Sequence, residues 1–222
     1  MKHHEKIPYS YQAVVDLRKK VGAGEGQRME FKRKASDPSR IAREMVAFAN
    51  TNGGYLYVGV DDNGSMPGLK YPDGESFVIR NAISNIFPAL DCEETFIPIG
   101  GARTVIQYEV RESSNKPHYL LSESQVREYF VRVDDKTIRA SRELREIIRR
   151  KQRKRDIQFR YGDHEKLLMQ YLSENSSISI HEFVRVSGIK RFKASHKFVL
   201  LVLADVLHII PGEKEDRYTL AF

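Results

Sequence analysis

The sequence contains one cysteine, Cys92, and no apolar stretch as long as the roughly 20 residues that a transmembrane helix needs. A single cysteine excludes an internal disulfide and a zinc site built from cysteines, and it is typical of a reducing cytoplasm. Residues 1–6 are not followed by an apolar run, so we expect no secretory signal. These absences predict a cytoplasmic protein that does not associate with membranes.

Positive charge, in contrast, is in excess and unevenly placed. The 222 residues carry a net charge of +7. Residues 142–160 hold nine Lys and Arg against three acidic residues, whereas residues 163–222 hold eight of each. A concentrated basic stretch is typical of proteins that bind polyanions such as nucleic acids. A solvated helix between two domains is the alternative interpretation of the same stretch.

The first part of the chain alternates helical and strand-like patterns, which predicts a mixed α+β fold. Asp37 followed by Pro38 marks the start of a helix that Gly53 and Gly54 end. The predicted helices cover residues 8–21, 38–52 and 76–86, and the predicted strands cover residues 29–32, 55–60, 104–110 and 128–133. In the first strand, alternation predicts that Met29 and Phe31 face inward and that Glu30 and Lys32 face outward.

The last sixty residues have a different pattern. Asp163 precedes one helix, the capping box from Ser179 to Glu182 opens a second, and Gly188 separates it from a third over residues 190–207. Two strand-like segments, residues 207–210 and 217–220, then form a hairpin. This order resembles a winged helix-turn-helix. We therefore predict two domains, residues 1–160 and 161–222, with residues 153–160 as the linker.

Three motifs in the first domain carry a family resemblance. They are Glu25-x4-Glu30-Phe31-Lys32, the run from Ala47 to Gly54, and Gly59-Val60-Asp61-Asp62-Asn63-Gly64. Together with Phe130-Val131-Arg132-Val133, Thr137 and Ala140, they resemble the AlbA-like putative DNA-binding domain of the Schlafen family over roughly residues 20–150. The resemblance implies nucleic-acid binding, and bacterial members are described as transcriptional regulators.

The same resemblance implies a possible enzyme site. Glu25, Glu30 and Asp62 match the positions that form the metal-dependent ribonuclease site of the catalytic Schlafen proteins, where oxygen ligands suit Mg²⁺ or Mn²⁺. In the alternative interpretation Glu30 pairs with Lys32 or Arg33 at the surface, and Asp61-Asp62 belongs only to a turn. Whether the protein is an enzyme stays open at this point.

Cations near these motifs and in the C-terminal part are the candidates for phosphate contacts. They are Lys32, Arg33, Lys34, Arg40, Arg43, Arg149, Arg150, Lys151, Lys190, Arg191, Lys193 and Lys197. Phe192, on the third C-terminal helix, is predicted to face the core. The hairpin tip carries Glu213, Glu215 and Asp216, which would repel a phosphate backbone, so the C-terminal module binds either DNA or another protein.

A phosphate-binding loop is absent, because Gly54-x4-Gly59 is followed by Val60 and Asp61 rather than by Lys and Ser or Thr. The favoured function is therefore binding of DNA or RNA, with DNA preferred, in transcriptional regulation by a homodimer that needs no cofactor. The alternatives are a metal-dependent endoribonuclease that uses Mg²⁺ or Mn²⁺, and a protein-interaction scaffold.

Overall fold

The computed structural model describes residues 8–152 and 161–221. The chain divides into two compact units after Ile138. The predicted linker, residues 153–160, and hence the predicted domain boundary lie outside the described residues. No helix within the described ranges is long and apolar enough to cross a membrane.

The first unit has the mixed α+β fold predicted from the sequence. Its elements are α1 (Tyr11–Val21), β1 (Met29–Lys32), α2 (Pro38–Asn50), β2 (Gly54–Val58), α3 (Pro72–Ile83), β3 (Ile86–Phe87), β4 (Cys92–Gly100), β5 (Arg103–Val110), β6 (Tyr119–Leu121), β7 (Arg127–Glu128), β8 (Phe130–Val133) and β9 (Lys136–Arg139). Four of these strands form a sheet in the order β1-β2-β5-β4, in which β1 and β2 are parallel and the other pairs are antiparallel.

Both faces of the β1–β2 pair are buried. Phe31 and Tyr57 point to one face, where they pack with Leu17 of α1, whereas Leu56 points to the other face and packs with Met45 of α2. The predicted outward orientation of Glu30 is therefore wrong, because α2 covers that face and leaves Glu30 only 3% exposed. Alternation in β1 predicts one buried and one solvent-exposed face, but at β1 and β2 both faces of the sheet are buried.

The turn after α2 brings the helix and β2 very close together. Gly53 has φ +68°, and a Cβ atom there would lie 2.6 Å from the carbonyl oxygen of Val110. A Cβ atom on Gly54 would lie 2.4 Å from the ring of Phe48. Gly53 therefore permits the close approach of the turn to β5, and Gly54 permits close packing of α2 on β2. At the other end of α2, the Asp37 side chain accepts a hydrogen bond from the Arg40 backbone, so the predicted N-cap is confirmed.

The sequence patterns did not predict β4, the strand at one edge of the four-stranded sheet. β4 pairs only with β5, its residues are mostly half-buried, and Pro98 lies inside it. An edge strand tolerates proline because one side of its backbone makes no ladder hydrogen bonds, and its side chains lack the continuous apolar pattern of a central strand. The helix predicted over residues 76–86 begins four residues earlier, at Pro72, since proline suits the first helical turn.

The described residues of the second unit form four helices and a hairpin. Its elements are α4 (Arg142–Lys151), α5 (Asp163–Glu174), α6 (Ile180–Ser187), α7 (Arg191–Leu203), β10 (Leu207–Ile210) and β11 (Arg217–Leu220). Rings of Phe183, Phe198 and Tyr218 meet in its core. The Ser179 capping box and the left-handed turn at Gly188 are confirmed.

Two features of the second unit differ from the sequence interpretation. The contacts place α4, which the sequence assigned to residues 1–160, in this unit, because Leu144 and Ile147 are buried and Ser195 of α7 donates a 2.6 Å hydrogen bond to Glu143. The division into residues 1–160 and 161–222 stays a prediction. Phe192 does not face the core: it is 65% exposed at the start of α7.

Candidate functional site

A small cavity of about 190 Å³ in the first unit brings the three predicted carboxylates together. It lies where β1, the start of α2 and the turn after β2 meet. The residues that line it are Glu25, Glu30, Lys32, Lys34, Ser36, Asp37, Arg40 and Asp62. The local sequence motifs thus converge in space, and three of the predicted cations lie at the same cavity.

Glu25 reaches the cavity because the loop before β1 folds back on the strand. Gly24 has φ +79°, and Gly26 pairs with Met29. The Glu25 carboxylate then accepts a 2.8 Å hydrogen bond from the backbone N–H of Phe31. Burial raises the pKa of Glu25, and the negative charges of Glu30 and Asp62 raise it further. Glu25 is therefore close enough to Glu30 and to Asp62 to be repelled by both carboxylates.

Glu30 is held between two cations. Its Oε2 accepts a 2.8 Å hydrogen bond from Nη1 of Arg132, and its Oε1 accepts one from Nζ of Lys32. Burial acts to raise the pKa of Glu30, but the hydrogen bond and the charge of Lys32, together with the charge of Arg132, lower it below its ordinary value. Glu30 is consequently an ionised partner in a buried cluster rather than an open ligand.

Glu44 on α2 extends this cluster. Its Oε1 lies 3.3 Å from Nζ of Lys32 and accepts a 3.1 Å hydrogen bond from Nε of Arg40. Its Oε2 is buried and has no hydrogen-bond partner among the described residues. Burial raises the pKa of Glu44 to about 7, and the negative charge of Glu30 contributes to the shift. Alternating charges thus run from Arg132 through Glu30, Lys32 and Glu44 to Arg40.

Sequence reasoning missed both Arg132 and Glu44 as members of this site. Arg132 interrupts the apolar strand Phe-Val-Arg-Val, and a charge in such a strand signals a buried partner. Glu44 lies four residues after Arg40 on a helix that is buried along almost all of its length, which is the corresponding signal. Neither signal identifies which residue is the partner. For Arg132 the partner is Glu30, which lies 102 residues away in the sequence.

Glu30, one of the three predicted carboxylates, is not open to a divalent cation in this arrangement. No group of three His, Cys, Asp or Glu side chains in residues 8–152 and 161–221 could hold a metal ion. Both oxygens of Glu30 are already engaged by positive groups, whose charge would repel Mg²⁺ or Mn²⁺. The assignment of Glu25, Glu30 and Asp62 as metal ligands therefore stays a hypothesis.

The predicted cations around the cavity differ in what they contact. Lys32 is half-buried between Glu30 and Glu44, Arg33 pairs with Asp61 at 3.5 Å, and Arg40 pairs with Glu44.

Lys34 is exposed and makes no ion pair with a described residue. Arg43 lines a separate groove of about 640 Å³ beside α3, so Arg40 and Arg43 do not serve one surface although they are three residues apart.

In the second unit, most of the predicted cations line a groove of about 940 Å³ along α4 and α7. They are Arg149, Arg150, Arg191, Lys193 and Lys197. Glu146 pairs with Arg149 and Arg150, and Glu165 pairs with Lys197. Lys151 and Lys190 are exposed outside the groove lining. The predicted cations are thus divided between the two units, and within each unit some of them lie outside the cavity or groove that the others line.

The sequence of residues 25–141 matches the family described as Schlafen, AlbA_2, which is more than half of the chain. The chain belongs to the Schlafen AlbA_2 family. The matched Schlafen AlbA_2 region contains the complete carboxylate cavity and the charge cluster from Arg40 to Arg132. No curated protein matches the chain.

Two solved structures resemble parts of this Schlafen AlbA_2 protein. The DIP2311 protein from Corynebacterium diphtheriae is 19% identical with a TM-score of 0.43, and the match covers 69% of this chain. It covers 31% of that chain, so this chain spans less than a third of the length of its relative. The N-terminal domain of the putative ATP-dependent DNA helicase RecG-related protein from Nitrosomonas europaea is 30% identical with a TM-score of 0.39, covering 49% of this chain and 80% of that domain.

Proposed function

We propose that this chain binds nucleic acid, with DNA favoured over RNA, through cations on each of its two units. The observation that carries the proposal is that many of the candidate cations are exposed and are not used for internal ion pairs. Among residues 8–152 and 161–221, those without an ion-pair partner are Lys34, Arg43, Lys151, Lys190, Arg191 and Lys193. An exposed cation whose charge is not neutralised releases counterions from a phosphate backbone when it binds.

This proposal separates the cations into two classes. Lys32, Arg33 and Arg40 are neutralised by Glu30, Asp61 and Glu44, so they organise the site rather than supply net charge to a ligand. The unpaired cations supply the charge. Membership in the Schlafen AlbA_2 family also supports nucleic-acid binding, because nucleic-acid binding is what the resemblance to the AlbA-like domain implies.

Binding measured against salt tests the proposal. Fluorescence anisotropy with a labelled duplex DNA should give an association constant whose logarithm falls linearly with the logarithm of salt concentration. Lys34→Ala and Lys190→Ala should each reduce that slope by about 1, because each removes one phosphate contact. The matched control is Arg111→Ala, which removes an exposed cation already paired with Glu93. An affinity that stays flat from low to moderate salt rejects the proposal.

For the cellular role we propose regulation of transcription, with the second unit acting as a winged helix-turn-helix. The succession α5, α6, α7 and the hairpin β10–β11 supports this, as does the turn at Gly188 between α6 and α7. Chromatin immunoprecipitation of the tagged full chain should recover promoter DNA. Recovery of DNA without enrichment at promoters would reject the regulatory role and leave nucleic-acid binding intact.

A homodimer is part of the same proposal, and light scattering at micromolar concentration tests it. The expected mass is twice the 25.7 kDa of the chain. A monomeric mass rejects the dimer. A protein-interaction scaffold is the explanation that remains if neither DNA nor RNA changes the mobility of the protein in a gel.

The competing enzymatic function is a metal-dependent endoribonuclease. The observation in its favour is that Glu25, Glu30 and Asp62 line one cavity. Because Arg132 and Lys32 hold Glu30, we expect structured RNA to remain intact when it is incubated with the protein and Mn²⁺. Cleavage that is lost in Asp62→Ala would instead establish the nuclease.

A further inference from the structure

The groove of the second unit is concave because α4 lies alongside α7. Leu144 and Ile147 of α4 are buried, and Glu143 accepts a hydrogen bond from Ser195 of α7. Residues of α4 and α7 therefore form the two walls of a groove of about 940 Å³.

Positive charge dominates this groove. Its three acidic side chains are already engaged: Glu146 by Arg149 and Arg150, Glu165 by Lys197, and Glu143 by Ser195. The remaining groove cations, Arg142, Arg191 and Lys193, make no ion pair with any residue in the described ranges 8–152 and 161–221. A concave surface lined by one sign of charge concentrates ligands of the opposite sign.

An exposed aromatic ring stands in the same groove. Phe192 is 65% exposed between Arg191 and Lys193, whereas Phe198 on the opposite side of α7 is fully buried against Phe183. A large apolar side chain left in water among cations has no role in the packing of this unit. Aromatic rings in positively charged grooves are the platforms on which proteins stack the bases of single-stranded nucleic acids.

A nucleic-acid duplex does not suit a groove that combines an exposed aromatic ring with cations. Its bases are stacked on one another and present only their edges, so a ring face can stack on a base only if the duplex is locally unstacked at a cost. A single strand offers free base faces and a flexible phosphate chain that follows a concave surface. The chemistry of the groove therefore favours a single strand.

We infer that the α4–α7 groove binds single-stranded nucleic acid, with one base stacked on Phe192 and phosphates bound by Arg142, Arg191 and Lys193. This inference rests on the proposed nucleic-acid binding and specifies its ligand in the second unit. It also assigns Phe192 a role that the sequence interpretation, which placed it in the core, excluded.

Anisotropy with two labelled probes tests the inference. The probes are an unstructured thymidine homopolymer of about 12 nucleotides, within the range of known site sizes, and a duplex of the same length. For the full chain, Phe192→Ala should weaken binding of the single strand on the order of 5- to 150-fold, the effect of losing one stacked base. Phe192→Tyr should restore it, and duplex binding should change little. The control is Val186→Ala, an exposed apolar residue of α6 outside the groove.

The outcomes separate this inference from the proposed function. Single-strand binding that is unchanged in Phe192→Ala, or an equal loss for single strand and duplex, overturns the inference and leaves salt-dependent nucleic-acid binding in place. If neither the single strand nor the duplex binds, both this inference and the proposed nucleic-acid binding are rejected. Because Phe192 is exposed, a thermal melt of Phe192→Ala that matches the unmodified chain shows that any loss of affinity is not due to unfolding.

Discussion

Arg132 of β8 donates a 2.8 Å hydrogen bond to Glu30 of β1, and both side chains are almost completely removed from solvent. The pair joins the first strand of the unit to one of its last strands. Removing one partner of a buried ion pair leaves the other charge without compensation, which costs much more than the pair itself contributes. Arg132 is therefore a point at which the stability of the first unit can be tested.

Arg132→Met is expected to lower the free energy of unfolding by roughly 3–5 kcal/mol, because Glu30 then retains only Lys32 as a cationic partner. Urea unfolding followed by circular dichroism measures this change. The control is Arg111→Met, whose partner Glu93 is 62% exposed, and a surface pair of this kind contributes about 0–1 kcal/mol. Similar losses in the two variants would show that burial of the Arg132 pair has no special energetic role.

Glu44 predicts a specific dependence of stability on pH. Its pKa is about 7 in the folded chain, whereas the ordinary value is 4.5. Between these values the folded state binds more protons than the unfolded state, so the free energy of unfolding falls as pH rises from about 4.5 through 7. Glu44→Gln should remove this fall and should be more stable than the unmodified chain at pH 8 by on the order of 1–3 kcal/mol.

The two buried carboxylates act in different pH ranges, which provides an internal control. Because the pKa of Glu30 is lowered, its contribution is present above its ordinary value of 4.5 and is lost as the pH falls further. In Glu44→Gln the free energy of unfolding should still fall as the pH drops below 4.5, but it should no longer fall as the pH rises from 4.5 to 7. Urea unfolding at intervals of pH measures both, and a Glu44→Gln profile parallel to that of the unmodified chain would contradict the assignment.

The close approach of α2 and β2 predicts that Gly54→Ala is destabilising. The new methyl group would lie 2.4 Å from the ring of Phe48, which is itself fully buried. Overpacking of this kind costs about 1–3 kcal/mol. The matched control is Gly74→Ala in α3, where a Cβ atom meets nothing within 4 Å and where alanine should stabilise the helix by up to about 1 kcal/mol. Thermal unfolding of both variants should give shifts of opposite sign.

Asn50 at the end of α2 predicts a large loss of stability when it is replaced. Its Oδ1 accepts a 2.7 Å hydrogen bond from the His118 backbone, and its Nδ2 donates to the carbonyl oxygens of His118 and Phe130. Asn50→Leu leaves these buried groups without partners and should cost roughly 2–5 kcal/mol. Asn50→Asp keeps the acceptor and removes the donor, so it should also destabilise the unit.

The control for Asn50 is Asn85→Ala, whose exposed side chain donates only to the carbonyl oxygen of Asn81. A surface change of this kind is expected to stay within about 0.5 kcal/mol. If thermal unfolding shows equal effects at the two positions, the Asn50 hydrogen bonds do not hold the segments of His118 and Phe130 in place.

The sequence predicted the elements that local chemistry defines. The cap at Asp37, the capping box at Ser179 and the turn at Gly188 all depend on neighbouring residues, and the structure confirms them. Convergence of Glu25, Glu30 and Asp62 in one cavity agrees with the family resemblance, which carried information about tertiary structure that periodicity does not contain.

The features that the sequence did not predict depend on distant partners. The alternation of apolar and charged residues in β1 separates the two faces of the strand correctly. It cannot show that α2 covers the face of Glu30 and buries it. The partnership of Arg132 with Glu30 spans 102 residues, so no window of local sequence contains both. Phe192 is an aromatic residue in a helix rich in apolar residues, but it lies six residues before the buried Phe198, an offset that turns its ring away from the core in the first turn of α7.

The distance along the chain between Glu30 and Arg132 also bears on how the protein is made. During synthesis, β1 leaves the ribosome 102 residues before the guanidinium that compensates its carboxylate. If α2 buried this face of β1 before Arg132 was synthesised, the carboxylate of Glu30 would be buried with Lys32 as its single cationic partner. Burial of a charge with incomplete compensation costs free energy. We therefore expect the unit to close cooperatively only after β8 has been synthesised, rather than gradually from its first residues.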